Sequence, residues 1–165
     1  MVAIVSIRDP YYKLRPVSAT PDDELCACPQ LSALILQPHL TACPIACVAC
    51  CLEVPPERAE LSAELADQIA RWLAFHNAFY TLWLDSGEFE AWAREQLEDL
   101  GSPVNVRGRE LARNMCDVRR CYYWLFQDTG IDSFSPLVVC PACNGELTPL
   151  GRWQACEGCA IVVPN

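Results

Sequence analysis

Apolar residues recur at three- and four-residue steps between positions 57 and 84: Leu61, Leu65, Ile69, Trp72 or Leu73, His76, Phe79 or Tyr80, and Trp83. That spacing lines one face of an α-helix. Glu57, Glu60, Glu64 and Asp67 lie early in it, where the helix dipole favours negative charge. The aromatics of the stripe read as core packing. Asp85-Ser86-Gly87-Glu88 interrupts the period and starts a second helix, with Asp85 as its cap and Glu88 reaching back to it. Phe89, Trp92, Ala93, Leu97 and Leu100 form the expected buried stripe of this helix, and Gly101 its C-terminal cap. A third helix is expected from Asn105 through about Met115.

The rest of the chain has the pattern of strands and loops. Residues 2–7 are apolar and β-branched, and predict a strand; Pro10, Pro16 and Pro21 punctuate the loop that follows. Leu31 to Leu36 predicts a second strand, and Pro55-Pro56 closes the segment. Tyr122 to Phe126 reads as a strand with bulky residues on both faces. Glu146 to Ala155 reads as a hairpin bending near Pro149-Leu150-Gly151, and Ala160 to Val163 as a third strand beside it. The expectation is an α+β protein in three parts: a cysteine-rich β module at 1–55, a helical region at 56–120, and a four-cysteine ribbon at 121–165.

Charge sharpens this division. The net charge of −9 falls unevenly: residues 56–100 hold ten acidic and three basic side chains, so −7, while residues 101–165 are neutral overall. Such a chain repels a phosphate backbone and suits a basic protein partner better. No basic stretch and apolar run of signal-peptide type follows Met1, and no run approaches the roughly 18 apolar residues of a membrane span. A cytoplasmic protein with no membrane contact is expected. Cysteine pairs in that compartment more often bind metal than form disulfides.

The chemistry lies in the twelve cysteines. Cys140-Pro141-Ala142-Cys143 and Cys156-Glu157-Gly158-Cys159 are two tight pairs separated by twelve residues, the spacing of a four-thiolate zinc site. A mononuclear iron site shares the geometry. Four thiolates leave no open position, so a structural role is expected and Lewis-acid catalysis is not. Each pair should sit on a turn that tolerates positive φ, for which Asn144-Gly145 and Gly158 are the candidates. Upstream, Cys47-Val48-Ala49-Cys50 and Cys26-Ala27-Cys28 supply a second set, Cys26, Cys28, Cys47 and Cys50. Cys43 is an alternative to a member of the upstream pair, and His39 an alternative fourth ligand. Cys51 directly follows Cys50, which normally excludes it from the same tetrahedron. Cys116 and Cys121 read as core thiols. One basic cluster remains, Arg107, Arg109, Arg113, Arg119 and Arg120, beside Tyr122, Tyr123 and Trp124; it is the candidate surface for stacking on single-stranded bases.

From Cys26 to its end the chain resembles uncharacterised bacterial zinc-ribbon proteins described as candidate nucleic-acid binders. The matching order is Cys26-x-Cys28, then Cys47-x-x-Cys50 before Val54-Pro55, a helical middle, Ser-Pro-Val-Asn-Val-Arg-Gly-Arg-Glu-Leu at 102–111, the run Tyr122-Tyr123-Trp124-Leu125, and the ribbon. The resemblance implies two zinc sites, with Cys26, Cys28, Cys47 and Cys50 as the first and Cys43 and Cys51 as extras. The chain departs from it at Val48, where such proteins tend to have glycine. It departs again at Ala160 to Pro164, an apolar ending where they tend to be basic. The expected function is a non-enzymatic zinc protein whose acidic helices meet a basic protein: a regulator, an adaptor or an immunity-type inhibitor. The alternative is nucleic-acid binding through the arginines at 107–120. A third possibility is a redox role for Cys43, Cys51, Cys116 and Cys121.

Overall fold

The computed structural model of the chain describes residues 19–38 and 43–165. The strand expected at 2–7 and His39 lie outside the described residues. The elements are β1 (Leu34–Leu36), β2 (Ile45–Cys47), α1 (Ala63–Asp85), α2 (Glu90–Glu98), α3 (Pro103–Met115), β3 (Cys121–Trp124), β4 (Thr148–Leu150), β5 (Trp153–Cys156) and β6 (Ile161–Pro164). Helices and a mixed six-stranded sheet make this an α+β protein, as expected. None of its helices within the described residues is long and apolar enough to cross a membrane.

The first helix starts six residues later than its periodicity predicts. Ser62 Oγ accepts from Leu65 N at 3.2 Å, and Glu60 is left-handed with φ 57°. The chain therefore turns through 57–60 before the helix can propagate, and Glu64 is the acidic residue in its first turn. The break at 85–88 is real, but its capping residues differ from those expected. Asp85 ends α1, Ser86 Oγ accepts from Phe89 N at 3.0 Å, and Gly87 N donates to Glu90 Oε1 at 3.2 Å. The side chains that bond backbone N–H groups of the break are thus Ser86 and Glu90, one residue after Asp85 and two after Glu88. At the other end of α2, Asp99 is the cap, and Gly101 N donates to Asp99 Oδ1 at 2.9 Å. The third helix begins at Pro103, whose ring suits a first helical position, with Ser102 as its cap.

The stripe expected on α2 is only half buried. Ala93 and Leu97 face the core, while Phe89 and Trp92 are 52% and 48% exposed. Phe89 occupies the cap position, outside the packed turns, and Trp92 leans on Phe79 of α1 with ring centroids 5.4 Å apart. Asn105 holds the helices together. Its Nδ2 donates to Leu97 O at 2.8 Å and Asp99 O at 2.7 Å, satisfying carbonyls at the end of α2. Its Oδ1 accepts from Tyr123 Oη at 2.6 Å, tying α3 to the sheet. Trp72 of α1 adds a second tie, donating from Nε1 to Val104 O at 2.9 Å.

The sheet order is β2-β1-β3-β6-β5-β4. β1, β3 and β6 are parallel; β2 is antiparallel to β1, and β5 to both β6 and β4. The cysteine-rich segments from both ends of the chain thus share one sheet, joined through β3. Side chains alternate between its faces as the strand period requires. Leu34, Leu36, Tyr123, Ile161 and Val163 belong to the larger core with α1 and α3; Ile35, Tyr122, Trp153, Ala155 and Val162 form a second cluster.

Candidate metal centres

Two strands run against the parallel set and end in cysteine, β2 at Cys47 and β5 at Cys156. Leu34 is in register with both Cys47 and Cys121, and Cys156 is in register with Ile161. Both cysteine knuckles therefore leave the same end of the sheet, where β1, β3 and β6 begin.

Cys26, Cys28, Cys47 and Cys50 bring their sulfurs within 4.8 Å of one another, and so do Cys140, Cys143, Cys156 and Cys159. These are the two sets read from the sequence. None of the eight is in a disulfide. Cys143 Sγ and Cys156 Sγ are 3.7 Å apart. Four sulfurs at about 2.3 Å from a tetrahedral ion lie about 3.8 Å from each other, so the donor set fits a zinc-sized cation.

Each Cys-x-x-Cys turn ends in a left-handed residue directly after its second cysteine. Cys51 has φ 63°, Asn144 φ 59° and Ala160 φ 51°. Cys51 N donates to Cys47 O, and Asn144 N to Cys140 O, both at 2.8 Å. This explains Cys51: it is the turn residue of the first knuckle, not a ligand. Asn144 behaves as expected, whereas the second C-terminal pair places its positive φ on Ala160 and not on Gly158. An alanine there is strained, so Ala160→Gly should raise stability by about 1 kcal/mol in chemical denaturation of the metal-loaded protein. An unchanged or lowered midpoint would contradict this reading of the turn.

Crowding splits the thiols. Cys143 is lowered to about 7 by the Gly145 backbone N–H and by donation from its three neighbours, while burial and the surrounding sulfurs push Cys159 up to about 12. In the first set, burial pushes Cys50 up to about 12. Cys26 is opposed by burial, yet the Cys28 backbone N–H and the neighbouring sulfurs hold it below the usual thiol range. Neutral neighbours can stabilise one thiolate per set; a divalent cation would let all four ionise.

The other cysteines are placed as packing groups. Cys43 Sγ donates to Val54 O at 3.2 Å, and burial raises it to about 11. Cys116 Sγ donates to Cys121 O at 3.1 Å, and burial raises Cys121 strongly.

Arginines brace both knuckles. Arg58 donates from Nη1 to Cys26 O and from Nη2 to Cys28 O at 2.5 Å, a fork absent from the residues expected to build the site. Its one sequence signal is a lone cation shortly after Pro55-Pro56 in an acidic stretch. Arg119 Nη1 donates to Leu31 O at 2.7 Å. Arg120 Nη2 donates to Glu157 O at 2.5 Å and to Glu157 Oε2 at 3.0 Å, while its guanidinium lies 4.8 Å from the Tyr122 ring centre. Arg119 and Arg120 thus link the loop before β1 to the knuckle after β5. Arg107 pairs with Glu110 at 3.1 Å and with Gln68 at 2.9 Å, and Arg113 Nε donates to Arg109 O at 3.3 Å.

His76 lies on the buried face of α1, and burial lowers it to about 4. The unfolded chain takes up a proton near pH 6.5, whereas the folded chain does not until about pH 4. Stability is therefore lost as pH falls through that window, on the order of 3 kcal/mol across it. The stability of wild type relative to His76→Leu should fall by about 1.4 kcal/mol between pH 7.5 and 5.5. A constant difference would show that the imidazole is not held neutral.

No family model, curated protein or solved structure matches this chain.

Proposed function

We propose that the chain is a non-enzymatic, zinc-stabilised interaction protein whose acidic helical face docks a basic protein partner, as a regulator, adaptor or immunity-type inhibitor would. The observation that carries this is the company kept by the exposed apolar side chains of α1 and α2. Phe75 and Trp92 are 47% and 48% exposed and both meet Phe79, with ring centroids 5.0 and 5.4 Å apart, within the segment of net charge −7. Exposed aromatics in a segment rich in carboxylates suit an apolar contact with a basic partner. Two closed four-thiolate zinc sites would supply rigidity and no open coordination position for catalysis.

Two placements favour a protein partner over nucleic acid. Tyr122 and Tyr123 are buried, with Tyr123 hydrogen-bonded to Asn105, so neither ring offers a free face to a base. Arg119 and Arg120 donate to carbonyls that hold the cysteine loops. Affinity capture from the native host tests the proposal. The recovered protein should be basic, and Trp92→Ala with Phe75→Ser should lower its recovery at least tenfold while both metals stay bound. Recovery of nucleic acid that is lost in Arg109→Ala with Arg113→Ala, and untouched by the helix variants, would overturn it.

A further inference from the structure

We propose that Cys143 is an oxidative modification site: hydrogen peroxide attacks its sulfur, Cys156 closes a disulfide on it, and the C-terminal centre empties before the N-terminal one. The site is independent of the docking role and rests on the zinc loading of the two cysteine sets.

The two centres have the same donors but present them differently. Among the eight ligands Cys143 alone is exposed; Cys26, Cys47, Cys140 and Cys156 are buried, and Cys28, Cys50 and Cys159 half-buried. Pro141 and Ala142, inside the same knuckle, are exposed as well. The ligand pairs are also held differently. Cys26 N donates to Glu53 O at 2.7 Å, and Arg58 holds Cys26 O and Cys28 O, so that pair is tied to residues distant in sequence. At the exposed knuckle Cys140 N donates to Gly145 O and Asn144 N to Cys140 O, bonds that close within the loop itself. Val138, just before this loop, is 77% exposed. A sulfur carried on such a loop can leave its place in the set for a neighbouring sulfur. Cys156 Sγ stands 3.7 Å from Cys143 Sγ. A disulfide closes that separation to about 2 Å.

Coordination to a divalent cation leaves each ligand a thiolate, the form that attacks a peroxide. Cys43 and Cys116 lie outside both sets and donate S–H to Val54 O and Cys121 O, so they present thiols, and Cys121 is fully buried. The Cys143 sulfur attacks one peroxide oxygen. The S–O bond forms, the O–O bond breaks, and the departing hydroxide takes up a proton to become water. Sulfur is oxidised to the sulfenic acid as the peroxide is reduced. The Cys156 thiolate then attacks the Cys143 sulfur; the S–S bond forms, the S–O bond breaks, and the second hydroxide is protonated in turn. In sum, two thiolates, one peroxide and two protons give one disulfide and two waters. Cys140 and Cys159 remain, two ligands fewer than a structural zinc site uses. Cys156 ends β5 and Ile161 begins β6, in register with Tyr123 of β3, so the chain registers peroxide as a loss of stability.

The test treats the full-length, zinc-loaded protein with substoichiometric hydrogen peroxide. Remaining thiols are blocked with N-ethylmaleimide, disulfides are mapped by mass spectrometry, and a chromogenic chelator reports free zinc. At early times disulfides containing Cys143 should outnumber those within Cys26, Cys28, Cys47 and Cys50 at least tenfold, with one zinc released for each. The expected partner is Cys156. A phosphine reductant with added zinc should restore the original melting temperature. Cys43→Ser should leave the early rate unchanged, because its sulfur joins neither set. Cys143→His keeps a four-ligand site without the exposed thiolate, and should slow peroxide-driven zinc release at least fivefold. Partner capture plays no part in these readouts, so this site and the docking face are judged separately. First disulfides that leave Cys143 reduced, or zinc release from Cys143→His at the wild-type rate, would overturn the assignment.

Discussion

Stripping metal from the reduced protein with a strong chelator should unfold the whole sheet, not the cysteine segments alone. Structural zinc in small four-ligand modules contributes an apparent 10–16 kcal/mol or so to folding, while an entire domain is stable by about 5–15 kcal/mol. Without the cation, four crowded sulfurs would have to sit together as mixed thiol and thiolate. The damage cannot stay local. Cys47 is in register with Leu34, Leu34 with Cys121, and Tyr123 with Ile161, so β3 carries load from both centres. Helical circular dichroism should fall along with the sheet, because Tyr123 anchors α3 through Asn105. Cys47→Ser and Cys156→Ser should each lose more than their own metal's share of stability and melt in one transition. Cys43→Ser should keep both metals, since its sulfur bonds Val54 O and joins neither set. Retention of the full melting profile after metal removal would contradict this coupling.

Gly108→Ala should be the most damaging single methyl on the helices. A Cβ at Gly108 would lie 2.3 Å from Tyr123 Cε2 and 2.9 Å from Trp72 Nε1. Helix propensity alone favours alanine by about 1 kcal/mol. The contact wins, because α3 would have to lift from the sheet and loosen the bonds from Tyr123 Oη to Asn105 and from Trp72 Nε1 to Val104 O. Overpacking together with weakened buried hydrogen bonds should cost about 3 kcal/mol net, or roughly 10 °C in melting temperature. Gly158→Ala is the control. A methyl there would meet no heavy atom within 4 Å, and Gly158 has no positive φ, so the change should be near neutral. A stabilised Gly108→Ala would mean that α3 does not approach the sheet this closely.

The cysteine quartets depend on local spacing, and the helical stripe on local periodicity, so Cys140 through Cys159 and α1 are legible in the chain. What is not legible depends on contacts distant in sequence. Nothing local says that Arg58 reaches back to Cys26, or that Arg120 reaches forward to Glu157. Trp92 fits the apolar stripe of α2 but stays half exposed, because what covers a helix face is decided by its neighbours. Cys51 reads as a spare cysteine because a left-handed backbone position normally signals itself by glycine or asparagine, as Asn144 does and Ala160 does not. His76 is legible as a core position, but its Nδ1, buried with no hydrogen-bond partner among the described residues, is not.

The proposed docking role has as its foundation two four-cysteine zinc sites, which would fasten one sheet at the end where β1, β3 and β6 begin. Zinc-edge X-ray absorption on quantified full-length protein tests that foundation without an intermediate step. Two zinc ions per chain are expected, each with four sulfur neighbours at about 2.3 Å. Fewer than two zinc ions, or a nitrogen or oxygen neighbour in the inner shell, would contradict it.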